Sequence, residues 1–231
     1  MSKRIKLSFF GMLFSVFVMA SDIYLNGINY TLDSESNTAS VVSCDKNISS
    51  FTIEDTIVHN NAEYIVTAIG ARAFYNCSTL TGIILPSGIT TIGNNAFYGC
   101  INLTSIEFPE NVTSIGNGAF YYCEKLTSIT IPENVISIGN KAFYGCFRLC
   151  EVFNFSELDI VTGGSDNGYV AYYAKSVSTD RSASSKLDKL NDFLFYVDAD
   201  FIELIAYTGV EQSIALPTGY KGKNYGISYC A

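Results

Sequence analysis

The chain has 231 residues, of which 48% are hydrophobic, enough to build a core and too many for a disordered protein. Its 14 Lys and Arg stand against 22 Asp and Glu, a formal charge of −8. That balance leaves no basic footprint for nucleic acid or an anionic membrane surface, so neither is expected as a partner.

The first predicted element is a leader. Residues 1–6 (MSKRIK) are a short basic head, and 7–19 (LSFFGMLFSVFVM) are an apolar run too short to span a bilayer, so no transmembrane helix is expected. Val18 and Ala20 are small residues at the spacing of a cleavage site before Ser21. Residues 1–20 therefore read as a secretory signal peptide, which predicts a secreted or cell-surface protein.

Residues 21–65 come next. INYTL, ASVVS and SFTIEDTIV alternate apolar and polar residues in strand fashion. This stretch is expected to be a β-rich cap over the open end of a repeat array that begins at residue 66.

Residues 66–155 repeat with a period of 23. Phe74, Phe97, Phe120 and Phe143 keep that spacing, as do the Ala before and the Tyr after each of them. Ile69, Ile92, Ile115 and Ile138 keep step, each followed by Gly. So do Cys77, Cys100, Cys123 and Cys146, and Leu80, Leu103, Leu126 and Leu149. Fixed self-similarity of this length is the mark of a repeat architecture. Within one unit, LTGIILP (80–86) reads as a strand ended by Pro86, which has no N–H for a ladder. NNAFY (94–98) places Asn before Ala and Phe and predicts a short helical or 3-10 turn. One such unit cannot bury its Ile, Phe and Leu alone, but stacked units can. The expectation is a solenoid with parallel strands one coil apart.

IGNNAFYGCINLTSIEFP (92–109) and IGNGAFYYCEKLTSITIP (115–132) resemble the BspA-type leucine-rich repeat. The resemblance runs in phase over residues 66–155. It implies a leucine-rich repeat solenoid with a parallel β-sheet on the concave face and short helical turns opposite. It also implies a secreted or surface protein that adheres to protein ligands, such as host extracellular proteins or neighbouring cells.

After Leu149 the pattern frays. The next Pro position holds Phe155 and the next Phe position holds Asp166. KSVSTDRSASSKLDK (175–189) is polar and Ser-rich and predicts a mobile loop. FLFYVDADFIELIAY (193–207) predicts two strands around a tight Asp198–Ala199–Asp200 turn. IALP (214–217) restores the strand-then-Pro pattern, and YKGKNYGISYCA resembles the run-in before Phe74. Residues 156–231 are thus expected to hold an irregular β-hairpin segment and the start of a further, incomplete repeat.

No residue set proposes catalysis. The single His, His59, lies in VHNNAEY with no nucleophile or orienting acid suggested nearby, and reads as a solvated turn residue. Asp198, Asp200 and Glu203, or the SDN at 165–167, could be considered for calcium, but a hairpin turn and an exposed face account for them. No two cysteines have the spacing of a zinc knuckle. The protein is therefore expected to be no enzyme and to carry no metal or cofactor. The four periodic cysteines read as a ladder of buried free thiols, since Cys packs as a small hydrophobe. Disulfides between adjacent coils are the alternative. Cys44, Cys150 and Cys230 have no partner that the spacing suggests.

What remains is a surface. If Leu80, Ile83 and Leu85 point inward, their neighbours point outward onto the concave sheet. The outward pairs are Gly82 and Ile84, Ser105 and Glu107, Ser128 and Thr130, and Glu151 and Phe153. This strip is the expected ligand-binding face of an adhesion module. In the alternative reading the strip is only solvated, and the protein is a structural spacer or stalk segment of a larger surface protein.

Overall fold

The structure, a computed structural model, describes residues 21–209, 216, 217 and 219–227. The expected leader, the first half of IALP, and Cys230 and Ala231 lie outside the described residues.

The chain opens with an antiparallel meander of β1 (Ser21–Leu25), β2 (Ile28–Asp33) and β3 (Thr38–Cys44). Alternation in β2 and β3 buries Ile28, Tyr30, Leu32, Ala39 and Val41. A short β4 (Ser50–Thr52) follows, then a hairpin of β5 (Thr56–His59) and β6 (Ala62–Ile69). Asn60 and Asn61 both take positive φ in the hairpin turn, the conformation that matches strand twist in two-residue loops. β6 also runs parallel to β3, with Ala39 opposite Val66.

From here the chain coils. Each turn of the solenoid contributes two short strands. They are β7 (Gly82–Ile84) and β8 (Thr91–Ile92), β9 (Ser105–Ile106) and β10 (Ser114–Ile115), then β11 (Ser128–Ile131) and β12 (Ser137–Ile138). β6, β8, β10 and β12 form one parallel ladder in which Ile69, Ile92, Ile115 and Ile138 stand opposite one another. On a second face β4, β7 and β9 form a parallel ladder. β11, β13 (Glu151–Asn154) and β14 (Ser176–Ser178) form another.

The columns read from the sequence are the core. Phe74, Phe97, Phe120 and Phe143 are fully buried and stack ring on ring at 5.0, 5.1 and 5.0 Å. The Ala, Cys and Leu columns fill the space around them. The Gly behind each Ile lets coils approach. A Cβ on Gly116 would come within 2.6 Å of the Asn94 backbone nitrogen in the preceding coil.

The expected helical turns are absent from the repeats. A single 3-10 turn, Asn167–Tyr169, is the only helical element among the described residues. The physical reason lies in the backbone of each AFY corner. Its N–H groups alternate between the same coil and the next. Tyr75 N–H donates to Arg72 O, whereas Phe74 and Asn76 donate to Ala96 O and Tyr98 O one coil on. That alternation requires left-handed residues, found at Arg72 and Asn76, Asn95 and Gly99, Gly118 and Tyr122, and Lys141 and Gly145. Two positive φ angles in five residues rule out a right-handed helix. The fold is a β-solenoid whose corners are turns.

The 175–189 loop also needs correction. β14 extends the coil ladder, pairing Val177 with Val152, and β15 (Leu187–Leu190) joins a separate sheet. That sheet continues antiparallel through β16 (Phe193–Val197) and β17 (Ile202–Tyr207) and ends with β18 (Gly226–Ile227), parallel to β17. Phe195 stacks on Tyr220 at 4.3 Å in its own small core. Cys150 packs with Tyr196, Ile205 and Ala206 where this sheet meets the solenoid.

Candidate functional site: the strand strip and its groove

The outward strip was read from strand alternation alone, and each of its residues now has a place. On β7 Ile83 is buried, whereas Ile84 is 64% exposed and Gly82 half-buried. On β9 and just beyond it, Ser105 and Glu107 are exposed, with Ile106 and Phe108 inside. Ser128 and Phe153 are half-buried and Thr130 exposed. Glu151 differs: only 1% of it is exposed.

The structure brings Gly82, Ile84, Ser105 and Glu107 together. With Ser50, Phe51, Thr52 and Ser87 they line an open groove of about 740 Å³ across β4, β7 and β9. Its lining mixes hydroxyls, an exposed isoleucine and a carboxylate. Gly82 makes a notch there, because a Cβ at that position would meet no atom within 4 Å. At the wall Asp55 accepts hydrogen bonds from Ser87 N–H at 2.8 Å and Ser87 Oγ at 3.0 Å, which holds the loop after Pro86.

The strip does not run open to its far end. Ser185 Oγ donates to Glu151 Oε2 at 2.6 Å, and the Lys186 backbone N–H donates to Oε1. The segment entering β15 thus lies over β13. A buried carboxylate needs such donors, since an unpaired one would be expensive. No signal in the sequence could have flagged this cover, which depends on a contact 34 residues away.

The residues weighed for chemistry are dispersed. His59 is the last residue of β5, and its ring is bonded to the Asn60 side chain at 2.9 Å. Asp198 pairs with Lys186 at 2.6 Å and Glu203 with Lys175 at 3.1 Å, so their carboxylates answer lysines rather than converge. Lys186 holds the Asp198 carboxyl below the usual carboxylate range. Among the described residues no three His, Cys, Asp or Glu side chains group as metal ligands would.

The cysteines form a buried column. Cys100 Sγ donates to Phe74 O at 3.1 Å, and Cys123 and Cys146 do the same one coil on, at 3.2 Å each to Phe97 O and Phe120 O. Burial pushes the Cys100 thiol up to about 12, and raises Cys123 and Cys146 as well. Such thiols are inert. Cys44, which the spacing left unpartnered, ends β3 directly against Cys77, with the two sulfurs 2.8 Å apart.

Sequence reasoning missed a second surface. Tyr75, Tyr98, Tyr121 and Tyr144 stack outside the corners at 4.9, 5.0 and 5.1 Å. Tyr122, Phe147 and Tyr172 extend this aromatic face, each more than a third exposed. The signal was present: a Tyr column in the same period, one residue beyond each buried Phe.

Residues 42–164 match the family profile described as the BspA type leucine rich repeat region, in 6 copies. The chain is also similar to solved bacterial structures. A leucine-rich repeat protein from Bacteroides capillosus is 28% identical, with a TM-score of 0.54 over 58% of this chain and 98% of that one. A leucine rich cell surface protein from Faecalibacterium prausnitzii is 22% identical, with a TM-score of 0.47 over 81% of this chain and 62% of that one. The leucine rich repeat protein of T. pallidum is 24% identical, with a TM-score of 0.48 over 58% of this chain and 71% of that one. Comparison with curated proteins found no match.

Proposed function

This chain belongs to the BspA-type leucine-rich repeat family, and from that premise we propose that it is a non-catalytic binding module that takes protein ligands in the groove over β7 and β9. The observation that carries the reading is the groove's composition. An exposed isoleucine, Ile84, sits beside a notch at Gly82, within reach of Ser105, Glu107, Thr52 and Ser87. An apolar contact ringed by hydroxyls and one carboxylate is what a protein surface can fill, with an anchor in the notch and hydrogen bonds at the rim. Repeat solenoids commonly use such extended faces.

The basic head and apolar run of residues 1–20 support secretion or surface display, and adhesion to host proteins or neighbouring cells is the role that fits both. Ser128, Thr130 and Phe153 continue the binding strip beyond the groove. Glu151 serves the fold, under its cover of Ser185 and Lys186.

The test uses immobilised protein and the surface proteins of intact neighbouring cells. Gly82→Tyr fills the notch with a residue that favours strands, so melting should stay within about 0.5 kcal/mol of the parent. Capture should fall at least tenfold. Undiminished capture by a fully folded Gly82→Tyr protein would leave the groove a solvated sheet and favour the spacer reading.

A further inference from the structure

We propose that Cys44 and Cys77 are a disulfide-forming pair that fastens the N-terminal strands to the first full coil. Three observations separate them from the other column cysteines. Their sulfurs lie 2.8 Å apart, a separation ordinary for nitrogen and oxygen and very close for two larger sulfur atoms. Cys100, Cys123 and Cys146 instead each spend their S–H on a backbone carbonyl. The backbone contexts differ as well. The four periodic cysteines each follow a corner and repeat in register, so their side chains leave the backbone in the same direction. Cys44 is the last residue of a strand, and its sulfur reaches Cys77 from outside the column.

The local charge favours reaction at Cys77. The hydrogen bond shared with Cys44 and the Lys46 ammonium 3.9 Å from the sulfur both favour the Cys77 thiolate and lower that thiol against the opposing effect of burial. A thiolate is the attacking species in disulfide exchange.

The chemistry closes with a low-molecular-weight disulfide as oxidant. As the chain folds, the Cys77 thiolate attacks one sulfur of that disulfide and expels the other as a thiolate. Cys44 then gives up its proton and attacks Cys77 Sγ, expelling the second thiolate. One S–S bond is broken and one is formed. The two protein thiols lose two electrons and two protons, and the oxidant becomes two thiols. The bond closes a loop between residues 33 apart, which restricts the unfolded chain around β4, β5 and β6.

The full chain is refolded in a mixed reduced and oxidised glutathione buffer, denatured with an alkylating agent present, digested and mapped by mass spectrometry. The expected result is a peptide joining Cys44 to Cys77, with Cys100, Cys123 and Cys146 alkylated. Adding a reductant to the wild type should lower Tm by roughly 10 °C, and the same reductant should leave the Tm of Cys44→Ser unchanged. Alkylation of both Cys44 and Cys77 in the wild type, or a link from Cys77 to Cys100, would overturn the proposal. The map needs only the wild type, so it stands even if Cys44→Ser does not fold.

Discussion

Loss of Phe97 should weaken its coil strongly. Phe97 is fully buried, and its ring is covered on both faces, by Phe74 at 5.0 Å and Phe120 at 5.1 Å. Truncation to Ala removes the ring's transfer energy and leaves a cavity between two coils that are held apart by backbone ladders. A buried Phe→Ala change costs about 3–5 kcal/mol. Each stacked pair adds roughly 0.5–1.5 kcal/mol beyond burial. Phe97 loses two such pairs, whereas Phe143, at the end of the column, loses one Phe–Phe pair. Phe97→Ala should therefore fall near the top of the range and exceed Phe143→Ala by about 1 kcal/mol. Urea unfolding followed by circular dichroism measures both. With an m-value of about 2 kcal/mol/M, a cost of about 4 kcal/mol moves the midpoint by roughly 2 M. Exposed Glu107→Ala, on the same coil, should move it by less than about 0.25 M, the shift that corresponds to about 0.5 kcal/mol. Equal losses for Phe97 and Phe143, or a larger loss for Glu107, would refute the ladder as the source of stability.

Gly116→Ala should cost about 1–3 kcal/mol, because its Cβ would press on backbone atoms of the preceding coil that no rotamer change can move; a thermal melt equal to the parent's would show that the coils are less tightly apposed. Glu151→Ala should cost about 1–3 kcal/mol by removing the hydrogen bonds its carboxylate accepts from Ser185 and Lys186, and limited proteolysis should then cut within 181–187 faster than in the parent. Lys221 and the Tyr220 hydroxyl hold the Asp188 carboxyl down to about 2. Because its folded value lies below its unfolded one, its contribution is present above about pH 4 and is lost as pH falls towards 2. Carboxyl NMR should show Asp188 titrating near 2, rising towards the ordinary value in Lys221→Met.

The repeat was legible because it is regular. One period carried the Phe, Ala, Cys and Leu columns straight to the core, and strand alternation put Ile84, Ser105, Glu107 and Thr130 outside. Where the structure departs from that reading, the period itself changes. Ser50 and Gly82 are ladder neighbours 32 residues apart because the β5–β6 hairpin is inserted in that coil, which hid the place of Cys44. Glu151 and Ser176 are neighbours 25 residues apart, and there Gly168 takes the place of the column Ala, accepting from the Phe143 N–H, with Val170 and Ala171 buried after it. A search in steps of 23 ran past both. The helical turn failed for a different reason. Asn before Ala-Phe satisfies a capping rule, but in Asn95 the same side chain type tolerates the left-handed backbone that breaks a helix. The β8, β10 and β12 strands are two residues each, too short for alternation to announce them.

Two surfaces could take a ligand, the groove over β7 and β9 and the aromatic face, and the groove is the one proposed to bind. A photoactivatable cross-linking residue placed at Ser105, in the groove, can be compared with one at Tyr122, on the aromatic face, each protein being irradiated on intact neighbouring cells. Binding in the groove predicts a discrete protein adduct from position 105 and none from position 122. Adducts from position 122 alone would contradict it and move the binding site to the tyrosine face.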